Sequence, residues 1–148
     1  MTADQAQGEV VPAPGDARLF IGGEYVASAG ERFEVVSPVT GAVIGTVPVP
    51  GPDEVDAAVA AARAAQRAWA RVNVWERAKV CHAIGDGITA RREALARLQT
   101  LEQGKPLAES LADIDEAATL FHLHAEDAVR LTGETISSTD SEIGRAHV

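Results

Sequence analysis

Cys81-His82, with Asp86 following, supplies the residue types of a thiol catalyst: a nucleophile, a base and a carboxylate to orient the base. Their spacing on a helix opposes that use. Adjacent helical residues point about 100° apart, so Cys81 does not present its sulfur to His82, whereas His82 and Asp86 stand one turn apart on one face. Beside Val80, Cys81 fits a small buried residue better. His122 and His124 carry metal-ligand chemistry, but two positions apart on a helix they face nearly opposite sides and cannot share an ion. His122 is instead expected to pair with Glu126, one turn on. The stretch LEQGKPLAES, residues 101–110, holds a Gly-Lys pair of the kind that cradles phosphate. A phosphate loop needs a preceding strand and several glycines ahead of the lysine. Here a helical pattern precedes Gly104, and Pro106 follows, which is the stop-and-start order of a helix–helix corner. Lys105 is placed to offset the exposed carbonyls at the helix end.

These residues sit on elements that the pattern makes plain. Leu19-Phe20-Ile21 and Tyr25-Val26 flank Gly22-Gly23, a hairpin signal. Phe33–Val36 and Val43–Val47 are strands around the turn Ser-Pro-Val-Thr-Gly, residues 37–41. From Pro52 the period changes. Val55, Ala58, Val59, Ala62, Ala65 and Trp69 fall at helical spacing, with Asp53, Glu54 and Asp56 where the helix dipole favours acids. Asn73 and Glu76 form a capping box for a second helix, whose buried stripe is Val80, Ile84 and Ile88, continued by Leu95, Leu98 and Leu101. A third helix carries Leu107, Leu111, Ile114, Ala118, Phe121, Ala125 and Ala128 on one face, and Gly133 ends it. Asp113, Asp115, Glu116, Glu126 and Asp127 give it a solvated acidic face. Trp69 and Trp75 are expected to pack in the turn between the first two helices.

With 148 residues the chain suits one domain able to bury about 70% of its unfolded surface. Aromatics are only 4% of the chain against 46% apolar residues, so alanine supplies a thin, helix-rich core. A formal charge of −9 opposes nucleic-acid and anionic-membrane partners. One cysteine fits a reducing compartment, and no apolar run approaches the length of a membrane span. The start lacks the pattern of a signal or transit peptide, and a cytoplasmic location is expected.

The ordered motifs add what composition cannot. LFIGGEYVASAGERFEVVSPVTGAVIGTVPV, then DEVDAAVAAARAAQRAWA, then ERAKVCHAIGDGITARREALARLQTLEQGKPLAES together resemble the amino-terminal part of the NAD(P)-dependent aldehyde dehydrogenase superfamily. The resemblance covers about residues 17–138, with Ser37 standing where the family usually has Asn. It implies an α/β fold of which only the first part is present: short antiparallel ribbons followed by three amphipathic helices, without the Rossmann core. It implies a parent enzyme in which a cysteine thiolate attacks an aldehyde, hydride passes to NAD or NADP, and water releases the acid. The parent would be a homodimer or homotetramer acting on a small aldehyde, and residues 101–110 lean toward the semialdehyde-oxidising branch. The nucleophile, the oxyanion Asn and the nucleotide-binding unit of the family lie downstream of the matched segment, so no catalytic or cofactor-binding residue carries over, and Cys81 does not correspond to the nucleophile. Some members hold a structural monovalent cation, which maps onto main-chain oxygens of Val35 or Val36 and the carboxylate of Glu102.

The expected organisation is a tail over residues 1–16, ribbons over 17–50, helices over 51–132 and a lead-in over 133–141 that forms an unpaired edge. Residues 142–148 lack apolar period, cap and turn logic. Ile143–Val148 back-translate to ATC GGA AGA GCA CAC GTC, a common sequencing-adapter read, so an adapter-derived end is expected, with a natural tail as the alternative. Such a chain would be marginally stable, self-associating and without dehydrogenase activity. The competing reading is a non-catalytic helical interaction module.

Overall fold

Glycine sets the first turn. The computed structural model describes residues 17–28, 30–132, 134–136 and 144–146, so the tail expected over 1–16 lies outside the described residues. Strands β1 (Leu19–Ile21) and β2 (Glu24–Val26) pair antiparallel around Gly22-Gly23, whose φ values of 64° and 91° suit glycine. Phe20 meets Tyr25 edge to face, with ring centres 5.0 Å apart. Strands β3 (Arg32–Val36) and β4 (Val43–Pro48) form a second antiparallel ribbon, with a register irregularity between Val35 and Val36. Its turn closes as the Gly41 amide donates to the Ser37 carbonyl and the Ser37 amide to the Ala42 carbonyl, each at 2.9 Å.

Helix α1 (Pro52–Trp69) starts with its proline in the first turn. The Gly51 amide donates to Glu54 Oε2 at 2.7 Å, and the same oxygen accepts from Ser28 Oγ at 2.9 Å, tying the helix to the segment after β2. Helix α2 (Val74–Ala90) is capped by Asn73, whose Oδ1 accepts from the Trp75 amide at 2.9 Å. The reciprocal half of the capping box does not form, because Glu76 pairs with Lys79 at 2.7 Å.

Among the described residues four helices stand where three were expected. The second divides at Arg91 (φ −108°, ψ 13°), where the Arg91 amide makes a tight bond to the Ile88 carbonyl at 3.0 Å, and α3 (Arg92–Gln103) begins at the next residue. Helix α4 (Leu107–Ala128) packs along both α2 and α3.

The core is made of small residues. Ala78, Ala96, Ala118 and Ala125 are its buried apolar side chains, with Gly85 and Ser110 beside them. The expected stripe of α2 is corrected here: Val80 and Ile84 are 45% and 41% exposed, and only Ile88 is half-buried. Trp69 and Trp75, expected in the core, are also exposed, as are Val55 and Val59 of α1, a helix with no buried residue. An apolar period marks a face able to be buried, but α4 closes on the alanine face of α2, and no described residue covers the larger one.

Past α4, β5 (Glu134–Ile136) pairs antiparallel with β6 (Gly144–Ala146), so these three residues of the segment expected as an unpaired edge have a partner, and the rest of that segment lies outside the described residues. The described strands thus form three separate two-stranded antiparallel ribbons. Among the described residues no helix is long and apolar enough to cross a membrane.

Candidate functional site

The corner between α3 and α4 brings sequence-remote parts together. Gly104 takes φ 73° and ψ 9°, and its amide donates to the Thr100 carbonyl at 2.8 Å. A Cβ added there would lie 2.9 Å from Pro38 Cγ and 3.3 Å from Val39 Cγ2, so the β3–β4 turn rests on the corner. Lys105 does not serve the carbonyls behind it. It reaches forward to Asp113 of α4, which also accepts from Gln99 Nε2 at 2.6 Å. Thr100 Oγ1 donates to the buried Ser110 Oγ at 2.9 Å. The Gly-Lys pair is a latched corner, and its lysine is already engaged. Of the residues mapped to a cation, Val35 is half-buried, while Val36 and Glu102 are exposed. Ser37, next to Val36, is 1% exposed, and its hydroxyl has no hydrogen-bond partner among the described residues.

The acidic side of α4 is a set of ties as much as a solvated face. Arg92 grips Asp115 with two bonds, Nε to Oδ1 at 2.5 Å and Nη2 to Oδ2 at 2.7 Å. That bonding holds the Asp115 carboxyl below the usual carboxylate range, and hydrogen bonds from Lys105 and then Gln99 do the same for Asp113. Both groups therefore bind protons less readily folded than unfolded. Their stabilising effect is complete above about pH 4 and is lost as pH falls through the lowered folded values. Urea midpoints measured against pH should drop on acidification, and Asp115→Asn should flatten part of that drop. A midpoint profile identical in Asp115→Asn would show that the tie contributes nothing.

The histidines exchange the partners that spacing gave them. His82 Nδ1 and His122 Nδ1 lie 2.9 Å apart across the α2–α4 contact. His82 Nε2 is 3.3 Å from Glu126 Oε1 of α4, and His122 Nε2 is 3.7 Å from Asp86 Oδ1 of α2. Each ring thus faces a carboxylate of the opposite helix, a juxtaposition that no single-helix period reveals. His124 is exposed, and Cys81 is half-buried rather than buried. Among the described residues no three His, Cys, Asp or Glu side chains converge on one metal position. The groove between the β1–β2 hairpin and α1, lined by Phe20, Ile21, Ala58 and Ala61, has no titratable group to do chemistry.

The aldehyde dehydrogenase family pattern matches residues 25–147, a span that takes in residues 142–147, expected from the sequence to be adapter-derived. Over 127 residues, 82% of the chain, it is 40% identical to the succinate-semialdehyde dehydrogenase [NADP(+)] of Escherichia coli (strain K12), of which it covers 26%. The glutarate-semialdehyde dehydrogenase of Pseudomonas putida is 41% identical over the same share of this chain and is likewise covered for 26%. A crystal structure of a betaine aldehyde dehydrogenase point mutant from Staphylococcus aureus, in complex with NAD+, shares the fold with a TM-score of 0.77 and 38% identity over 84% of this chain and 26% of that one. The chain spans about a quarter of the length of the curated relatives it matches. With the family pattern over residues 25–147 and the fold shared with that crystal structure, the chain belongs to the aldehyde dehydrogenase family.

Proposed function

We propose that the chain is the amino-terminal part of an enzyme that oxidises an aldehyde, specifically a semialdehyde, to the carboxylic acid with NAD+ or NADP+. The identity to two semialdehyde dehydrogenases, 40% and 41%, carries this reading. In it the cysteine that forms the thiohemiacetal and thioester, and the nucleotide-binding unit, belong to the remainder of the parent, a cytoplasmic homodimer or homotetramer. The chain supplies the ribbons and helices on which that body leans. Support comes from the half-buried Cys81, whose neighbour His82 is turned to His122, and from the described strands, which pair in separate antiparallel ribbons.

The purified chain, given succinate or glutarate semialdehyde with either nucleotide, is expected to produce no reduced nicotinamide. A chimera in which its matched residues replace the corresponding segment of the Escherichia coli relative is expected to reduce NADP+. Turnover by the lone chain, or a soluble, folded chimera without turnover, would contradict the proposal. The exposed Trp69, Trp75, Val80 and Ile84 favour a second reading, a non-catalytic helical interaction module. Such a module unfolds as a cooperative monomer or defined oligomer, whereas a part of a larger enzyme self-associates.

The finer proposal is a monovalent cation held by the main-chain oxygens of Val35 or Val36 and by Glu102. The contact of Pro38 with the Gly104 corner brings the end of β3 toward the turn that follows Glu102, and the orphaned Ser37 hydroxyl adds an oxygen beside Val36. Exchanging choline for Na+ or K+ is expected to lower the melting temperature by about 3 °C, and Glu102→Gln to abolish the difference. Equal melting temperatures in all three salts would dispose of the ion.

A further inference from the structure

We propose that His82 and His122 form a two-nitrogen site for a divalent transition-metal ion, such as Zn2+, bridging α2 and α4. The two Nδ1 atoms face each other at 2.9 Å, with the rings tilted 32° and their centres 5.2 Å apart. A tetrahedral Zn2+ with two Zn–N bonds of about 2.0–2.1 Å holds its nitrogens roughly 3.3 Å apart, so the rings must open by about 0.4 Å and each must turn by roughly 35° from its nearly head-on approach to aim its lone pair at the ion.

The flanking carboxylates say what belongs between the rings. Glu126 stands 3.3 Å from His82 Nε2 and Asp86 3.7 Å from His122 Nε2, so a carboxylate lies behind each imidazole, the arrangement that supports a metal-bound histidine. Where neither Nδ1 carries a hydrogen, the two lone pairs face each other, and a metal ion between them replaces that repulsion with two bonds. The histidine side chains are 38% and 37% exposed, leaving room for waters to complete the coordination. Gly85 fixes the geometry from below, because a Cβ there would lie 2.6 Å from His122 Nε2.

Calorimetric titration of ZnCl2 into the full chain, in a non-chelating buffer near neutral pH, tests this directly. One ion per chain is expected. His82→Ala and His122→Ala should each weaken binding about ten-fold or more, and Glu126→Gln less. Gly85→Ala should also weaken it while keeping every ligand, by displacing the His122 ring. His124→Ala and Cys81→Ser should leave it unchanged. Far-UV circular dichroism confirms that each variant keeps its helices, and His82→Gln and His122→Asn replace any alanine variant that does not. A helical chain that takes up no Zn2+, histidine variants that bind it with unaltered affinity, or binding lost in His124→Ala or Cys81→Ser would overturn the proposal.

Discussion

Gly104→Ala is expected to lower folding stability by about 2–4 kcal/mol, a large share of the roughly 5–15 kcal/mol that a domain possesses. Two costs combine. The backbone stands at φ 73°, where a side chain is strained, and the new methyl would meet Pro38 Cγ at 2.9 Å. A proline ring cannot swing aside as the end of a flexible chain does, so either the corner or the β3–β4 turn must shift. Gly23→Ala provides the control: its φ is 91°, but nothing lies within 4 Å of the added carbon. It should cost about 1 kcal/mol, the conformational part alone. Urea denaturation followed by circular dichroism compares the two. Equal losses would mean that the turn does not rest on the corner, and Pro38→Ala should recover part of the Gly104→Ala deficit.

Ala125→Asp is expected to unfold the chain outright. Ala125 has no exposed surface and lies in α4, which packs along α2, and a carboxylate placed there has no cation or donor assigned to it. Burying an unpaired charge in this way costs about 3–5 kcal/mol or more. Ala57→Asp makes the same chemical change on the exposed first turns of α1 and should stay within about 0.5 kcal/mol of the parent. Loss of the helical signal in the first variant and its retention in the second is the expected pair of spectra. A helical Ala125→Asp with an unchanged urea midpoint would refute the packing of α4 on α2.

Much of this architecture is legible in the residues because its signals are local. Gly22-Gly23, the 37–41 turn and the Gly104–Pro106 corner each carry their own backbone preference, and each turn stands where that preference puts it. The break at Arg91 is not legible. Neither Ala90 nor Arg91 is a breaker, and Arg92, the first residue of α3, grips Asp115 across helices, a partner that the local sequence does not show. Periodicity picked out Val80 and Ile84 as the face to bury, yet α4 settles on Ala78 and Gly85, since a stripe tells which side is apolar and not which side finds a partner. The histidine pair was hidden for a related reason. Spacing along one helix joins His82 to Asp86 and His122 to Glu126, and only the docking of two helices crosses those partnerships. Lys105 was assigned to the carbonyls behind it because the nearest dipole is visible in sequence, while Asp113, a turn and a half into the next helix, is not.

Where α2 and α3 lie on α4, the side chains that meet are chiefly alanine, glycine and serine. Alanine and glycine have no rotamers to freeze, so closing this seam costs almost no side-chain entropy and proceeds on modest burial. Such smooth surfaces also lack the interlock that a leucine knob in its hole provides, and they resist sliding poorly along the helix axis. Axial register therefore falls to the polar ties, Lys105–Asp113 and Arg92–Asp115 for α3 and the crossed His82–Glu126 and His122–Asp86 contacts for α2, which act as pegs on an otherwise slippery track.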